Sequence, residues 1–323
     1  MAPGEALRHR PFVEHFYLSH PSCRLHLLMA DDGSIAGILG IARMRFEWNG
    51  AELTMAFGAN FHALRPGAGG LLYLHWTRSA PVGLVFGGST DAHRIYREQK
   101  WVYFPGARVM MLNPEPLQRP GDPLWRRVAR QLRARVQRKP IGRYGVRLPA
   151  AARGVTVREE ARWDEALLPR RSPFALRYAP PLDELTWRYA LDLPHVRYRL
   201  FRVSRDGTPC GYVVLQDRPE RILVAHADGE DPGALAGGIV RAVLAVGGTD
   251  RTARSVVLAS TCPTMREVFL DVGFRVRAER PLAMRAFRPS QALPADPGGW
   301  LVSFDWGDNG LRTPFLDQPA VPA

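Results

Sequence analysis

The run Arg65-Pro66-Gly67-Ala68-Gly69-Gly70 decides how this chain is read. Upstream of it, Glu52 to His62 reads as a strand. Downstream, Leu71 to Arg78 reads as a helix and Val82 to Phe86 as an apolar strand. A second helix carrying Ala92 and Tyr96 then ends at Lys100-Trp101. A strand, a glycine-rich turn and a helix N-terminus in that order form a cradle of backbone N–H groups that suits a phosphate. The other reading is a plain Gly/Pro turn joining strand to helix, and spacing alone leaves both open.

Around this stretch, Phe12 to Leu18 has helical spacing, and Arg24 to Met29 and Ile35 to Met44 read as a hairpin through Asp31-Asp32-Gly33. Glu47 to Gly50 is the next turn, and Arg108 to Leu112 closes the first series. A second series follows. Helices are expected at Trp163–Leu168, Leu182–Leu191, Pro232–Val246 and Thr264–Val272. Strands are expected at Val196–Val203, Cys210–Gln216, Arg221–Ala227, Ser255–Ser260, Leu282–Phe287 and Trp300–Phe304.

The two series repeat at an offset of about 174 residues. Pro21 recurs as Pro194, Asp32-Gly33 as Asp206-Gly207, Gly37 as Gly211, Arg94 as Arg266, Lys100-Trp101 as Gly273-Phe274 and Pro114 as Pro289. An ordered set of matches on equivalent elements implies two copies of one mixed α/β unit. In each, an antiparallel meander leads to a helix, a strand and another helix. The expected boundaries are a first domain at 1–115, a Pro/Arg-rich linker at 116–152, a second domain at 153–310 and a flexible tail at 311–323. The linker holds one basic helix, Pro123 to Gln137, with Trp125, Val128, Leu132 and Val136 on one face.

With 323 residues, 46% hydrophobic and 23% charged, the chain has the composition of a globular protein of about two domains. No apolar run reaches the roughly 18 to 20 residues that span a bilayer, and the first residues lack the order of a secretory signal. A cytoplasmic protein is expected. Cys23, Cys210 and Cys262 are too scattered for a disulfide framework or a CxxC metal site, and the histidines have no metal-ligand spacing, so no metal is expected. The net charge of +13 fits nucleic acid, an anionic membrane surface, an anionic coenzyme or simply an arginine-rich solvated surface. No basic stripe is interleaved with aromatics, so nucleic acid is not the expected partner.

The repeated unit resembles the GCN5-related N-acetyltransferase (GNAT) fold. The residues that carry the resemblance are Asp32-Gly33 and Gly37 in the meander, Arg65 and Gly70 at the two ends of the loop, and Ser89, Ala92 and Tyr96 in the second helix. Ala68 and Pro66 depart from the family's loop, serine replaces asparagine at Ser89, and Lys100-Trp101 replaces Gly-Phe. In the second copy Gly273-Phe274 fits, but Met265 and Phe269 replace alanine and tyrosine, and Gly229-Glu230-Asp231-Pro232-Gly233 is unlike the loop. The segments Trp187-Arg188-Tyr189, Pro194, Tyr198 and Trp300 to Asp308 also look like those of tandem GNAT-like proteins of bacterial polysaccharide biosynthesis.

The resemblance implies an acyl-CoA-dependent N- or O-acyltransferase, with acetyl-CoA or a longer acyl-CoA as cofactor. The cofactor would be held by Arg65, Gly67, Ala68, Gly69, Gly70 and Ser89, and a small-molecule, sugar or glycan-precursor acceptor would enter between the repeats. It also implies Tyr96 as proton donor to the departing thiolate. A phenol suits that role because it is protonated at pH 7; a core tyrosine on an amphipathic helix is the other reading. Glu52, His62 and His75 are the candidate bases, and transfer through positioning alone needs none. Cys262 with His226 is a remoter nucleophilic pair. Two alternatives remain: a non-catalytic GNAT-like binding module, and a FemABX-like aminoacyl-tRNA-dependent transferase, the one reading in which tRNA is a partner.

Overall fold

The computed structural model describes residues 5–113, 148–219, 221–247 and 254–306, with isolated positions between 123 and 132. The basic linker helix, apart from those positions, and the tail at 311–323 lie outside the described residues. In chain order, α1 (Arg10–Val13) runs into a π-turn ending at Leu18 and is followed by β1 (Cys23–Met29), β2 (Ile35–Trp48) and β3 (Ala51–Ala63). Then come α2 (Ala68–Thr77), β4 (Val82–Phe86), α3 (Thr90–Glu98) and β5 (Val102–Leu112). After the linker follow β6 (Val155–Glu160), β7 (Leu176–Tyr178), α4 (Leu182–Arg188), β8 (Tyr198–Arg205), β9 (Thr208–Asp217) and β10 (Arg221–Gly229). The chain continues with α5 (Pro232–Gly247), β11 (Ser255–Ser260), α6 (Pro263–Val272), β12 (Arg275–Ala286) and β13 (Trp300–Leu301).

The fold is mixed α/β, and the duplication is visible in it. In the first copy β3 and β4 are joined in parallel through Met55↔Val82, Ala56↔Gly83 and Phe57↔Leu84. In the second copy β10 and β11 are joined in parallel through Arg221↔Ser255, Ile222↔Val256 and Leu223↔Val257. Both junctions follow a crossover helix, as parallel pairing requires. The helix ends match too. The Trp101 N–H bonds to the Tyr96 carbonyl and the Phe274 N–H to the Phe269 carbonyl, each at 3.0 Å. These are the closing bonds of a left-handed helix cap, set by Lys100 at φ 57° and Gly273 at φ 107°.

Two compact units are built from this chain, and each takes strands from both copies. One comprises Met1–Ala107, Phe174–Val196 and Arg280–Ala323; the other comprises Arg108–Pro173 and Arg197–Glu279. In the first unit the sheet order is β13-β7-β2-β3-β4-β12, with β1 also on β2. Its β4 is closed by Leu282–Ala286 of β12. In the second unit the order is β5-β11-β10-β9-β8-β6, and β11 is closed by Arg108–Leu112 of β5. The last strand of each copy therefore completes the unit that holds the other copy's meander. The compact units follow strand pairing rather than the order of the chain.

Several stretches differ from the sequence expectation. Trp163–Leu168 forms only a 3-10 turn, Glu165–Leu167, because the Asp164 carboxylate accepts the Ala166 N–H at 2.9 Å and Pro169 soon follows. The expected strand at Trp300–Phe304 shortens to Trp300–Leu301 and turns into a 3-10 helix at Phe304–Trp306. The strand β7 is three residues long, too short to show a period.

The core of the first unit gathers Leu39, Ile41, Ala56, Leu72, Val85, Tyr96, Trp101 and Ala283 around Trp76. Trp76 is fully buried and its indole N–H donates to the Ala56 carbonyl at 3.1 Å. Gly83 leaves room for rings: a Cβ there would lie 2.6 Å from Trp101 Cη2. In the second unit α5 is apolar apart from Arg241, and the buried Arg254 donates to the Val246 carbonyl at 3.0 Å and to Asp217 at 2.6 Å.

A histidine cluster is expected to make the first unit acid-sensitive. The His195 ring lies 5.6 Å from that of His9 and 6.1 Å from that of His15. Burial, then the charges of His15 and His9, pulls His195 down to about 4; His9 and His15 are lowered as well, burial being the largest cause. Each folded value is below the unfolded one, so the unfolded chain binds protons first. The stabilisation is complete above about pH 6.5 and is lost as pH falls toward 4. Thermal melts should show the melting temperature falling across that window, and His195→Gln should flatten the fall.

Candidate active site

The site is built at the end of β3. The pairs Ile38↔His62 and Gly40↔Ala59 leave Asn60 and Phe61 opposite Leu39, a β-bulge. Asn60 takes φ 50°, is buried, and donates from Nδ2 to the Tyr17 hydroxyl at 2.6 Å. Parallel pairing of β3 with β4 ends at Phe57↔Leu84, so beyond that point β3 continues without β4 as its hydrogen-bonded neighbour. The Leu64 and Arg65 N–H groups both donate to the Ala36 carbonyl, at 2.9 and 3.1 Å, and pin the following turn to β2.

The turn then opens α2. Gly67 is its N-cap at φ 81°, a conformation that favours glycine. The Ala68 N–H bonds back to the Arg65 carbonyl and the Gly70 N–H to the Gly67 carbonyl, while the N–H groups of Gly67 and Gly69 make no backbone bond among the described residues. A Cβ added at Gly67 or Gly70 would meet nothing within 4 Å, so the space above the turn is open. A cleft of about 600 Å³ lies there, lined by Arg65, Pro66, Gly67, Ala68 and Leu71 and by the β1–β2 hairpin from Leu28 to Asp32. Free N–H groups at a helix N-terminus beneath open space are what a pyrophosphate needs, so these residues fit the phosphate end of a coenzyme.

Charge near the turn is mixed. Arg65 Nη2 donates to Asp32 at 2.6 Å and to the Ser34 hydroxyl at 2.7 Å. The Arg65 guanidinium, then Ser34, holds the Asp32 carboxyl below the usual carboxylate range. An anion entering the cleft therefore competes with Asp32 for Arg65.

The other expected site residues fall in different places. Ser89 caps α3, its hydroxyl accepting the Ala92 N–H at 3.2 Å. Tyr96 is buried in the aromatic core, with ring centroids 5.0 Å from Trp101 and 6.1 Å from Trp76. Burial, then Tyr73 and Tyr103, raises its hydroxyl above the usual phenol range, so it keeps its proton. His62 stands at the bulged end of β3, next to the turn. Glu52 is at the opposite end of that strand, roughly 30 Å away at the usual rise per residue, exposed and 3.6 Å from Arg45. The structure brings His62 to the cradle and leaves Glu52 away from it. His75 sits in the last turn of α2, 3.0 Å from His26. His226 is hydrogen-bonded to the Tyr212 hydroxyl at 2.8 Å, and Cys262 caps α6.

Sequence reasoning missed Tyr17 and Asn60. The available signal was Asn60 itself, a poor strand former inside a strand and one of the few residues that tolerate positive φ. The segments around Trp187 and Trp300 meet in the first unit as a packed network. Arg188 is buried, donates to the Asp305 carbonyl at 3.1 Å and lies over the Tyr178 ring. Trp187 stacks on His20 at 4.3 Å.

The equivalent place in the second copy is closed by its own acids. Asp231 accepts the Ala234 N–H at 2.6 Å at the start of α5, and Glu230 accepts the Arg170 N–H at 2.7 Å. The carboxylate of Asp231 stands where an anion would bind.

No family model and no curated protein matches this sequence. In fold, the chain is similar to a protein of unknown function from Enterococcus faecalis V583 named as a probable N-acyltransferase, at 11% identity and a TM-score of 0.51, covering 89% of this chain and 66% of that one. It is also similar to a GCN5-related N-acetyltransferase from Anabaena variabilis ATCC 29413, at 13% identity and a TM-score of 0.47, over 82% of this chain and 63% of that one. A third is a tandem GNAT protein from the clavulanic acid biosynthesis pathway, at 14% identity and a TM-score of 0.43, over 84% of this chain and 86% of that one. The chain spans less than two thirds of the length of the first two. The similarity to the Enterococcus faecalis protein carries the fold alone. No helix among the described residues is long and apolar enough to cross a membrane.

Proposed function

We propose that the protein is an acyl-CoA-dependent N- or O-acyltransferase with one cofactor site, in its first repeat. The observation that carries this reading is the contrast between the two copies: an open glycine turn whose Gly67 and Gly69 N–H groups make no backbone bond among the described residues, and an acid-capped helix at Asp231. Acetyl-CoA or a longer acyl-CoA would supply an activated thioester. The turn Gly67-Ala68-Gly69-Gly70 holds its phosphates, chiefly through the Gly67 and Gly69 N–H groups, with Ala68 and Gly70 shaping the turn, and Arg65 adds charge once it leaves Asp32. The bulge at Asn60–Phe61 lies beside His62, where an acceptor's proton can be taken. Tyr96 holds a proton at its hydroxyl, and the aromatic core excludes water around it. Ser89 keeps α3 in place through its cap and contributes to the site in that way. The acceptor is an amine or hydroxyl, and the Trp187 and Trp300 segments favour a sugar or glycan precursor in the cytoplasm.

The Arg65–Asp32 pair favours a second reading, a binding module without transferase activity, because it neutralises the cation a coenzyme would use. Calorimetric titration with acetyl-CoA and with longer acyl-CoA separates the two. One-to-one binding is expected for the transferase; no heat with either ligand would leave the second reading standing.

A further inference from the structure

At the other end of α2 lies a second cleft, of about 340 Å³, lined by Arg24, His26, Arg43, His75 and Arg78 with Ser22, Ser79, Pro21 and Ile41. Its distance from the cradle is about the length of the ten-residue helix, roughly 15 Å. The placement follows from the local register. Arg24 and His26 are two apart on β1 and point to one side of the sheet. Arg24 lies opposite Ile41 on β2, and the Arg43 N–H is bonded to the Ser22 carbonyl at 2.7 Å. His75 and Arg78 are three apart on the helix that covers this side.

Every charged or titratable group lining this cleft is a base. Arg24, Arg43 and Arg78 are exposed and make no ion pair among the described residues. Glu184 of α4, an acid on a neighbouring element, accepts from the Ser22 hydroxyl at 3.3 Å and is held by the Tyr178 hydroxyl at 2.6 Å. Ser79 gives its hydroxyl proton to the Trp76 carbonyl at 2.7 Å. The donors left for a ligand are three guanidinium forks and the imidazoles. His26 is half-buried and meets only positive neighbours: burial, then His75, Arg43 and Arg24, lowers its pKa. Holding three unpaired guanidiniums and two imidazoles together costs electrostatic energy, and a bound dianion reverses the sign of that term. A monocarboxylate neutralises one charge. A phosphate presents three oxygens and close to two charges, matching the forks.

We propose that this cleft binds the phosphate group of a phosphorylated ligand, at a site separate from the acyl-donor cradle. The proposal does not depend on acyltransferase activity. Inorganic phosphate titrated into the full chain at constant ionic strength should bind, and Arg43→Gln combined with Arg78→Gln should weaken binding at least tenfold. Both side chains are exposed, so the fold should persist, which melting temperature checks. Gly70→Asp at the cradle should leave this binding intact. Sulfate, whose charge is the same at pH 6 and 8, should bind more tightly at pH 6, because the bound dianion favours the protonated form of His26; His26→Gln should reduce that difference. Flotation with vesicles of phosphatidate in phosphatidylcholine, absent with phosphatidylcholine alone and competed by phosphate, would assign the phosphate to a lipid headgroup. Phosphate binding without flotation would assign it to a soluble ligand. Absence of phosphate binding, or a double variant that binds as well as the parent, overturns the proposal.

Discussion

Gly70→Asp is expected to abolish acyl-CoA binding while leaving the protein as stable as the parent or slightly more so. Gly70 is the third residue of α2 and is not among the residues at positive φ, and a Cβ there meets nothing within 4 Å. Aspartate therefore fits. A carboxylate in the first turn also interacts favourably with the helix dipole, by about 0.3–1 kcal/mol. The same carboxylate would stand beside the pyrophosphate. Two unit charges about 4 Å apart at an effective dielectric of 20 repel by about 4 kcal/mol, which corresponds to roughly a thousandfold in affinity. The second copy already has this arrangement at Asp231. Calorimetry with acetyl-CoA and a thermal melt together check both signs. Retained binding would move the cofactor away from α2; a collapsed melting temperature would mean that the glycine serves the fold.

Trp76→Ala should cost about 3–5 kcal/mol, the usual range for deleting a large buried aromatic. Trp76 touches every layer of its unit. Its indole donates to β3 at Ala56, and its ring lies 5.2 Å from Trp101, 6.0 Å from Phe287 and 6.1 Å from Tyr96. Gly58 leaves space beneath it, where a Cβ would stand 3.1 Å from the ring. Urea unfolding followed by near-ultraviolet circular dichroism should show the loss. Trp76→Phe retains a ring and gives up the hydrogen bond, for a loss of about 1 kcal/mol beyond the change in size. An unfolding midpoint unchanged by Trp76→Ala would contradict the core described here. Because Tyr96 packs on Trp76, the alanine variant should also loosen α3.

The candidate site was partly legible along the chain. Gly67 announces a left-handed turn, the following residues a helix start, and Ser89 a cap; these are short-range effects. Asn60 and Tyr17 were not legible as partners, because they are 43 residues apart and only the bulge brings them into hydrogen-bonding distance. The Arg65–Asp32 pair was likewise hidden. Each residue fits its own turn, and their attraction appears only when the β1–β2 hairpin folds against the start of α2. Glu52 and His62 look equivalent as strand carboxylate and imidazole, and only the length of β3 separates them.

The sequence by itself determined the duplicated α/β unit, the glycine turn after β3 and the helix ends at Lys100 and Gly273, because propensity, capping and side-chain period act within a few residues. Tertiary structure alone decided that β12 closes the sheet of β4 and β5 closes that of β11. Strand pairing is made by backbone groups common to all residues, so side-chain pattern does not name the partner. Tertiary structure also decided that bases from β1, β2 and α2 line one cleft, since their charges act through space and are scattered from Arg24 to Arg78 along the chain.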